Sequence, residues 1–325
     1  MDGISVREFE PPDYGVLALI HDSLFPNHPL FRGRVQHEDS CYGKTRYRMK
    51  RLVAETESGM AVGFGEYKHL FFSYHPRKFA VEIEVHPEWQ QRGIGQLLYA
   101  RLMEELARVE AEAVWSQVLS TSIPAIEFLH KRGFVEKRKM IESRLDLKKF
   151  DSAKLAGIME KLGSEGVTIA SFSSEMRADR SAGRRLMDLE DSAAGDIPNI
   201  VEDLPMNFHD YEVIILNSPI MLWDDSFIAK YGEIYVGSSS LLESGVRGMV
   251  EQGFTAVRPG YRGRGIAQAV KLQVALHAKN RGAKYIRTHN DSENKPMLAV
   301  NRKIGFVKQA KSITFEKHDC RCTPV

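Results

Sequence analysis

Val257-Arg258-Pro259-Gly260-Tyr261-Arg262-Gly263-Arg264-Gly265-Ile266-Ala267 repeats the punctuation of an earlier stretch, Val85-His86-Pro87-Glu88-Trp89-Gln90-Gln91-Arg92-Gly93-Ile94-Gly95. Gly265 stands 172 positions after Gly93, and the later pair Gly305-Phe306 stands 172 positions after Gly133-Phe134. Two landmarks that share one spacing argue for a duplication. The offset is that of whole domains, far beyond the units of roughly 20–50 residues that build solenoids and propellers.

In each copy a β-rich run, Val81 to Val85 or Phe254 to Val257, meets a proline, passes through glycines and arginines, and enters an amphipathic helical pattern. The order reads as strand, loop and helix start. Glycines let a backbone approach a ligand closely, and the free N–H groups of a helix's first turn, with their partial positive charge, suit phosphate oxygens. Arg92, Arg262 and Arg264 add cationic side chains. The ligand implied is an anion, best read as a pyrophosphate. A dinucleotide fingerprint needs Gly-x-Gly-x-x-Gly after the first strand of a domain, whereas these loops come mid-domain; a Walker A loop needs Gly-Lys-Ser/Thr, which neither copy has. A tight turn without a ligand is the plain alternative, and the recurrence of the arginine-glycine layout argues against it.

The pattern Gln/Arg-x-x-Gly-x-Gly/Ala, here Gln90-x-x-Gly93-x-Gly95 and Arg262-x-x-Gly265-x-Ala267, resembles the acetyl-CoA pyrophosphate loop of the GNAT N-acetyltransferases. In that family a further strand and helix follow and end in Gly-Phe, as both halves do here. The second half adds Thr288-His289-Asn290-Asp291-Ser292-Glu293-Asn294-Lys295-Pro296-Met297 and Asn301, and is similar to the tandem GNAT group that includes mycothiol synthase. The resemblance implies two tandem α/β domains, each a mixed, largely antiparallel sheet flanked by helices. It implies acetyl-CoA as cosubstrate, held by Val85, Gln90, Gln91, Arg92, Gly93, Ile94 and Gly95 in one copy. In the other copy Val257, Arg262, Gly263, Arg264, Gly265, Ile266 and Ala267 hold it, with Asn294 and Asn301 downstream. Helix capping and strand tethering are the structural readings of those two asparagines.

Acyl transfer needs the thioester carbonyl polarised where charge develops; in the resembled family a backbone N–H of the strand before the loop does this, at the places of Val257 and Val85. The acceptor amine must also lose a proton, which a carboxylate can take. Glu251, Glu82 and Glu84 are the candidates, each with a bland reading as a solvent-facing strand residue. Many family members place a tyrosine four residues before the late Gly-Phe, to protonate the leaving thiolate; here Leu129 and Asn301 stand there, which leaves His289 and Tyr285 as weaker candidates. The fuller late motif favours the C-terminal half as catalytic, with the other a structural or cofactor-holding copy.

Composition bounds the remaining classes. The chain has 325 residues, 43% apolar and 27% charged, enough for two domains with real cores. A net charge of +2 gives no broad basic surplus for nucleic acid, and no long apolar run suggests a membrane span. Three cysteines fit a reducing compartment, and with no leader pattern at Met1 to Glu8 the expectation is a cytoplasmic protein. Cys41 reads as incidental, and the tail pair Cys320 and Cys322 as solvated rather than metal-binding, so no metal is expected.

Along the chain, the expected elements include a strand at Ser5 to Glu8, a helix at Asp13 to Leu24, and irregular chain around Pro26 to Pro29. Closing strands are expected at Arg144 to Leu147 and Ser312 to Glu316. Expected domains are 1–149, a linker helix within 150–166, and 167–325, with Asp196-Ile197-Pro198-Asn199 as a loop of the second. Two functions fit: an N-acetyltransferase moving acetyl from acetyl-CoA to a primary amine of a small-molecule acceptor in one ternary complex, or a noncatalytic acyl-CoA-binding or scaffold protein. Paired phosphate loops favour the first. The acceptor and the oligomeric state stay open, a pseudo-dimeric monomer being one form.

Overall fold

The computed structural model describes residues 3–195 and 204–318; Asp196 to Asn199, Cys320 and Cys322 lie outside them. The first repeat runs β1 (Ile4–Glu8), α1 (Tyr14–Leu24), α2 (Arg32–Tyr42), β2 (Met49–Thr56), β3 (Ala61–Lys68), β4 (Lys78–Val85), α3 (Ile94–Arg108), β5 (Ala113–Leu119), α4 (Ile123–His130) and β6 (Val135–Asp146). After α5 (Ala153–Ser164) the second runs β7 (Val167–Ser171), α6 (Phe172–Ala178), α7 (Ala182–Ala194), α8 (Phe208–Tyr211), β8 (Phe227–Tyr231), β9 (Ile234–Glu243), β10 (Met249–Val257), α9 (Ile266–Asn280), β11 (Tyr285–Asp291), α10 (Lys295–Ile304) and β12 (Val307–His318). The repeated order of strands and helices carries the duplication into three dimensions.

The chain divides into two compact units, and the cut is not where the sequence suggests. Of the described residues, one unit takes 3–138, 204–206 and 313–318, and the other takes 139–195 and 207–312. The physical reason is an exchange of closing strands. The first unit's strand order is β1-β2-β3-β4-β5-β12, and the second unit's is β6-β11-β10-β9-β8-β7. Each repeat's last strand therefore serves the other repeat's sheet. Both closing strands are twelve residues long, well beyond the four or five expected, because charged stretches such as Val135-Glu136-Lys137-Arg138-Lys139 hide the strand pattern. In the first unit the exchanged strand is tied by Glu316, whose buried carboxylate accepts from Trp115 Nε1 at 3.0 Å and faces Lys137 Nζ at 2.9 Å.

β1 to β4 pair in antiparallel order, as do β7 to β10 and β6 with β11, whereas β4·β5 and β10·β11 run parallel. Side-chain alternation then sorts each sheet into two faces. In the first unit Leu52, Ala54, Val62, Phe79 and Val81 pack under Leu98, Leu102 and Leu106 of α3, while Val53 and Phe64 meet Leu17 and Ile20 of α1 on the other side. In the second, Leu241, Val250 and Ile286 pack under Leu272, Ala275 and Ala278 of α9. Leu155 and Leu162 of α5 join these cores, so the expected linker helix is part of the second unit's interior. The helix α2 was not legible in the sequence, since Arg32-Gly33-Arg34-Val35-Gln36-His37-Glu38 has no apolar stripe.

One pair of glycines fixes how closely each loop helix meets its sheet. A Cβ at Gly63, which lies across from Val85, would stand 3.0 Å from Glu84 O and 3.4 Å from Leu98 Cδ1 of α3, and a Cβ at Gly237, its structural counterpart, would run into Ile266 at the start of α9. Gly237 also lies directly across from Val257. Gly237→Ala is therefore expected to destabilise the protein by about 1–3 kcal/mol, the usual cost of overpacking, and to weaken ligand binding at the loop; thermal unfolding and calorimetric titration would measure both.

Candidate active site

The two loops have the same backbone. Pro87–Trp89 and Pro259–Tyr261 each form one 3-10 turn; the next residues, Gln90 and Arg262, have φ/ψ of −66°/162° and −69°/160°. Gly93 and Gly265 then enter the helices in the left-handed region, at φ 82° and 96°. Two positions earlier Gly263 is left-handed too, at φ 77°, and its counterpart Gln91 accepts the same strain at φ 60°. Among the described residues, the N–H groups of Gln91 to Gly95 and of Gly263 to Ala267 meet no backbone acceptor. They are the open donors of a helix N-terminus, which suits a phosphate group.

Side chains brace the loops in matching ways. Gln90 Nε2 donates to Val85 O at 3.0 Å, and Arg262 Nε donates to Val257 O at 3.3 Å. Arg92 lies over the Trp89 ring at 4.7 Å, and Arg264 over Tyr261 at 5.2 Å. The cations are thereby held beside the loop, where an anion would bind.

Next to each loop the sheet opens. β10 and β11 pair only over Met249 to Glu251 and Tyr285 to Arg287, although β10 runs on to Val257 and β11 to Asp291. β4 and β5 pair only over Lys78 to Ala80 and Ala113 to Trp115. Beyond these three-residue ladders each strand's edge faces a slot. Arg258 N–H donates to Val236 O at 3.0 Å on the β9 side, so strand alternation turns the N–H of Val257, and that of Thr255, to the slot side. His86 N–H bonds Val62 O at 2.9 Å, and by the same argument Val85 N–H faces the slot of the first unit.

The second unit has a feature the first lacks. The register of β10 against β9 shifts between Gln252 and Thr255, one extra residue on β10, whereas β4 keeps straight register with β3. This bulge puts Gln252 and Thr255 on one face, where both reach Ser239 Oγ, at 3.1 and 2.9 Å. Glu251 lies on the opposite face. Thr288 Oγ1 donates to Gln252 O at 3.1 Å, and Asn301 Nδ2 to Asn290 Oδ1 at 2.7 Å. Asn294 Oδ1 caps α10 by accepting from Met297 N–H at 3.1 Å.

On the Glu251 face the charges cluster. Glu251 Oε1 lies 3.3 Å from His289 Nδ1, and Glu251 Oε2 lies 3.4 Å from Arg287 Nη2. His289 Nε2 lies 3.4 Å from Glu142 Oε2, and Glu142 is its direct cross-strand neighbour on β6. Burial would lower the His289 pKa, but its hydrogen bonds to Glu142 and Glu251 and the two negative charges outweigh this and raise it to about 9. Arg144 lies over the Tyr285 ring at 5.0 Å on the same face.

The first unit carries none of this cluster. Counting from the parallel ladders, Ala80 stands where Glu251 does, Trp115 where Arg287 does, and Gln117 where His289 does. Glu82 is an exposed partner of Lys68 at 3.3 Å, and Glu84 accepts from His21 Nδ1 at 2.8 Å, so neither is brought to the place that Glu251 occupies. Sequence reasoning passed over Glu142, Gln252, Thr255 and the Arg287 pairing; only register reveals them.

The sequence matches the model of the acetyltransferase (GNAT) family over residues 17–134 and 199–306, which together exceed half of the chain. The chain belongs to the GNAT acetyltransferase family. It is an acyltransferase with the GNAT fold present twice in tandem. A tandem GNAT protein of the clavulanic acid biosynthesis pathway superposes with a TM-score of 0.74 at 15% identity, over 99% of this chain and 100% of that one. A GCN5-related N-acetyltransferase from Sphaerobacter thermophilus gives 0.72 at 16% identity, over 98% and 96%. No curated protein matches the sequence. Acetyltransferases of this family act on an acceptor with acetyl-CoA, and the open loop donors and flanking arginines fit its pyrophosphate. Among the described residues no helix is long and apolar enough to cross a membrane, and no His, Cys, Asp or Glu group is arranged to hold a metal ion.

Two outcomes follow for this GNAT site. Gly265→Glu forces a side chain into left-handed backbone and places a negative charge among the anion donors. Calorimetry is expected to show acetyl-CoA binding at that loop weakened at least about tenfold, the 1.4 kcal/mol equivalent of one lost ionic contact. His289 titrates from 6.5 unfolded to about 9 folded, so its stabilisation is complete below pH 6.5 and disappears as pH rises toward 9. The difference in Tm between wild type and His289→Gln is thus expected to be largest near pH 6 and to close above pH 9.

Proposed function

We propose that this protein transfers the acetyl group of acetyl-CoA to a primary amine of a small-molecule acceptor within one ternary complex, and that the second unit performs the chemistry. One observation carries the reading: the carboxylate of Glu251 and the slot-facing N–H groups of Thr255 and Val257 lie on one strand, on either side of the β10 bulge. Acetyl-CoA brings an acetyl group activated as a thioester. The N–H groups of Gly263 to Ala267, with Arg262 and Arg264, hold its pyrophosphate. Val257 N–H, with Thr255 N–H beside it, donates to the thioester oxygen as negative charge builds there. Glu251 takes the proton that the acceptor's ammonium must lose before its nitrogen can attack. Holding both partners in the slot supplies the remaining advantage through orientation.

The leaving thiolate takes its proton from solvent in this reading. Asn301 stands where many relatives have tyrosine, and its Nδ2 is already committed to Asn290. An amide is no proton donor at neutral pH.

For the first unit the second reading, a noncatalytic acyl-CoA-binding domain, is favoured by Ala80, Trp115 and Gln117 at the three charged positions beside an intact loop. The compartment proposed is the cytoplasm, in keeping with three cysteines in 325 residues.

Glu251→Gln keeps the size and hydrogen bonding of the side chain and removes its basicity. Acetyl-CoA-dependent acetylation of a primary amine is expected to fall by roughly 10²–10⁴-fold, with acetyl-CoA affinity unchanged. Full activity in this variant would remove Glu251 as the base.

A further inference from the structure

Glu251 is joined to a second carboxylate by an imidazole. His289 lies between them, with Nδ1 3.3 Å from Glu251 Oε1 and Nε2 3.4 Å from Glu142 Oε2. The ring is therefore gripped at both nitrogens, which fixes its plane and requires both to carry hydrogen if both contacts are to be donated. The backbone enforces the grip. Glu142 and His289 are registered directly across β6 and β11, and Glu251 is registered with Arg287, two residues from His289 on the same face.

We propose that His289 is a positioning residue of the acceptor site: clamped by Glu142, it presents a protonated Nδ1 to Glu251 and holds that carboxylate ionised and turned to the amine. This rests on the reading of Glu251 as the base. His289 does not contact the acceptor in this scheme and transfers no proton to it. Its charge and fixed plane act through Glu251, and Glu142 acts through His289. The first unit, with Gln117 at the corresponding position, has no such clamp.

On β11, Arg287 meets Glu251, and on β6, Arg144 lies over Tyr285. The charged residues of α7, which packs against β9 and β10, are directed elsewhere. Arg184 lies over Phe208, Arg185 meets Glu175, Asp179 and Glu233, Asp188 meets Arg258, and Glu190 accepts from Tyr211. Asp191, next along α7, is exposed to solvent. On the stretch of β12 that belongs to this unit, Lys308 and Lys311 are exposed. Glu142 and Glu251 are the carboxylates within ion-pair distance of His289.

A consequence is that the second repeat's site depends on a residue encoded in the first. Glu142 lies before the α5 helix in sequence, and β6 delivers it to β11.

The test is the titration of His289 by histidine-selective NMR on the full chain, its resonance assigned by its loss in His289→Gln. The expected result is a midpoint near 9 in wild type, lowered by at least about one unit in Glu142→Gln, in line with loss of one close charge. The basic limb of kcat/KM, measured by thiol release from acetyl-CoA with spermidine, glucosamine and lysine as probe amines, moves down in pH with it. A merely structural Glu142 would change Tm and the histidine's own midpoint but leave the basic limb of kcat/KM in place. A wild-type midpoint near 6.5, or one unmoved by Glu142→Gln, overturns the proposal. If Glu251→Gln keeps full turnover, the base assignment falls. If Glu251→Gln is inactive while Glu142→Gln and His289→Gln keep the wild-type rate and pH profile, the base assignment stands and the positioning role falls.

Discussion

One extra residue in β10 sets the geometry of the candidate site. An uninterrupted strand would put Gln252 and Thr255 on opposite faces; the bulge puts both against Ser239 and leaves Glu251 behind on the other face. The strand is thus divided into a segment that presents a carboxylate and a segment that presents slot-facing N–H groups. Because the parallel ladder with β11 has ended by then, nothing in the sheet competes for those groups. Without the bulge, β4 keeps regular alternation, and the positions that would carry charge hold Ala80, Trp115 and Gln117.

The two copies show which constraints are shared and which have separated. Loop backbone angles agree to within a few degrees at Gln90 and Arg262, and even the stacked arginine and its ring recur. Such agreement is what a common anionic group on open N–H donors demands, since few conformations aim successive donors at one point. The face that carries Glu251 in the second unit has no such demand in the first. A half-buried pair of close carboxylates is favoured by compensating cations, and Arg287 and His289 supply them in the second unit; with Ala80 and Gln117 in the first, the requirement itself disappears.

Much of this was legible in the sequence, for identifiable reasons. The left-handed glycines at 93 and 265 announce themselves because few other residues take that backbone cheaply. The cap at Asn294 is a local device, readable from the Pro296 that follows it. Residue type alone marks Glu251 as a candidate, and it gives Glu82 and Glu84 equal weight. Nothing local separates them, because the difference lies in register. A fixed offset of 172 also pairs Glu251 with Phe79, whereas the ladder pairs it with Ala80; the bulge accounts for the slip. Glu142 was invisible because its role depends on which strand lies across from it, and the exchange of closing strands is a property of topology that no short window contains.

That exchange bears on how the chain is made. The first unit's sheet is completed by Ile313 to His318, and Trp115 finds its carboxylate only at Glu316. During synthesis, roughly 5–20 residues are added each second, so about 170 residues of chain must emerge after Asp146 before this sheet can close. For much of its time on the ribosome the first repeat therefore carries an unfilled edge beside β5, with unpaired backbone groups exposed to any neighbouring strand. The second unit, whose β6 is already synthesised, can close its sheet as β11 appears. The protein's N-terminal half is translated first and finished last.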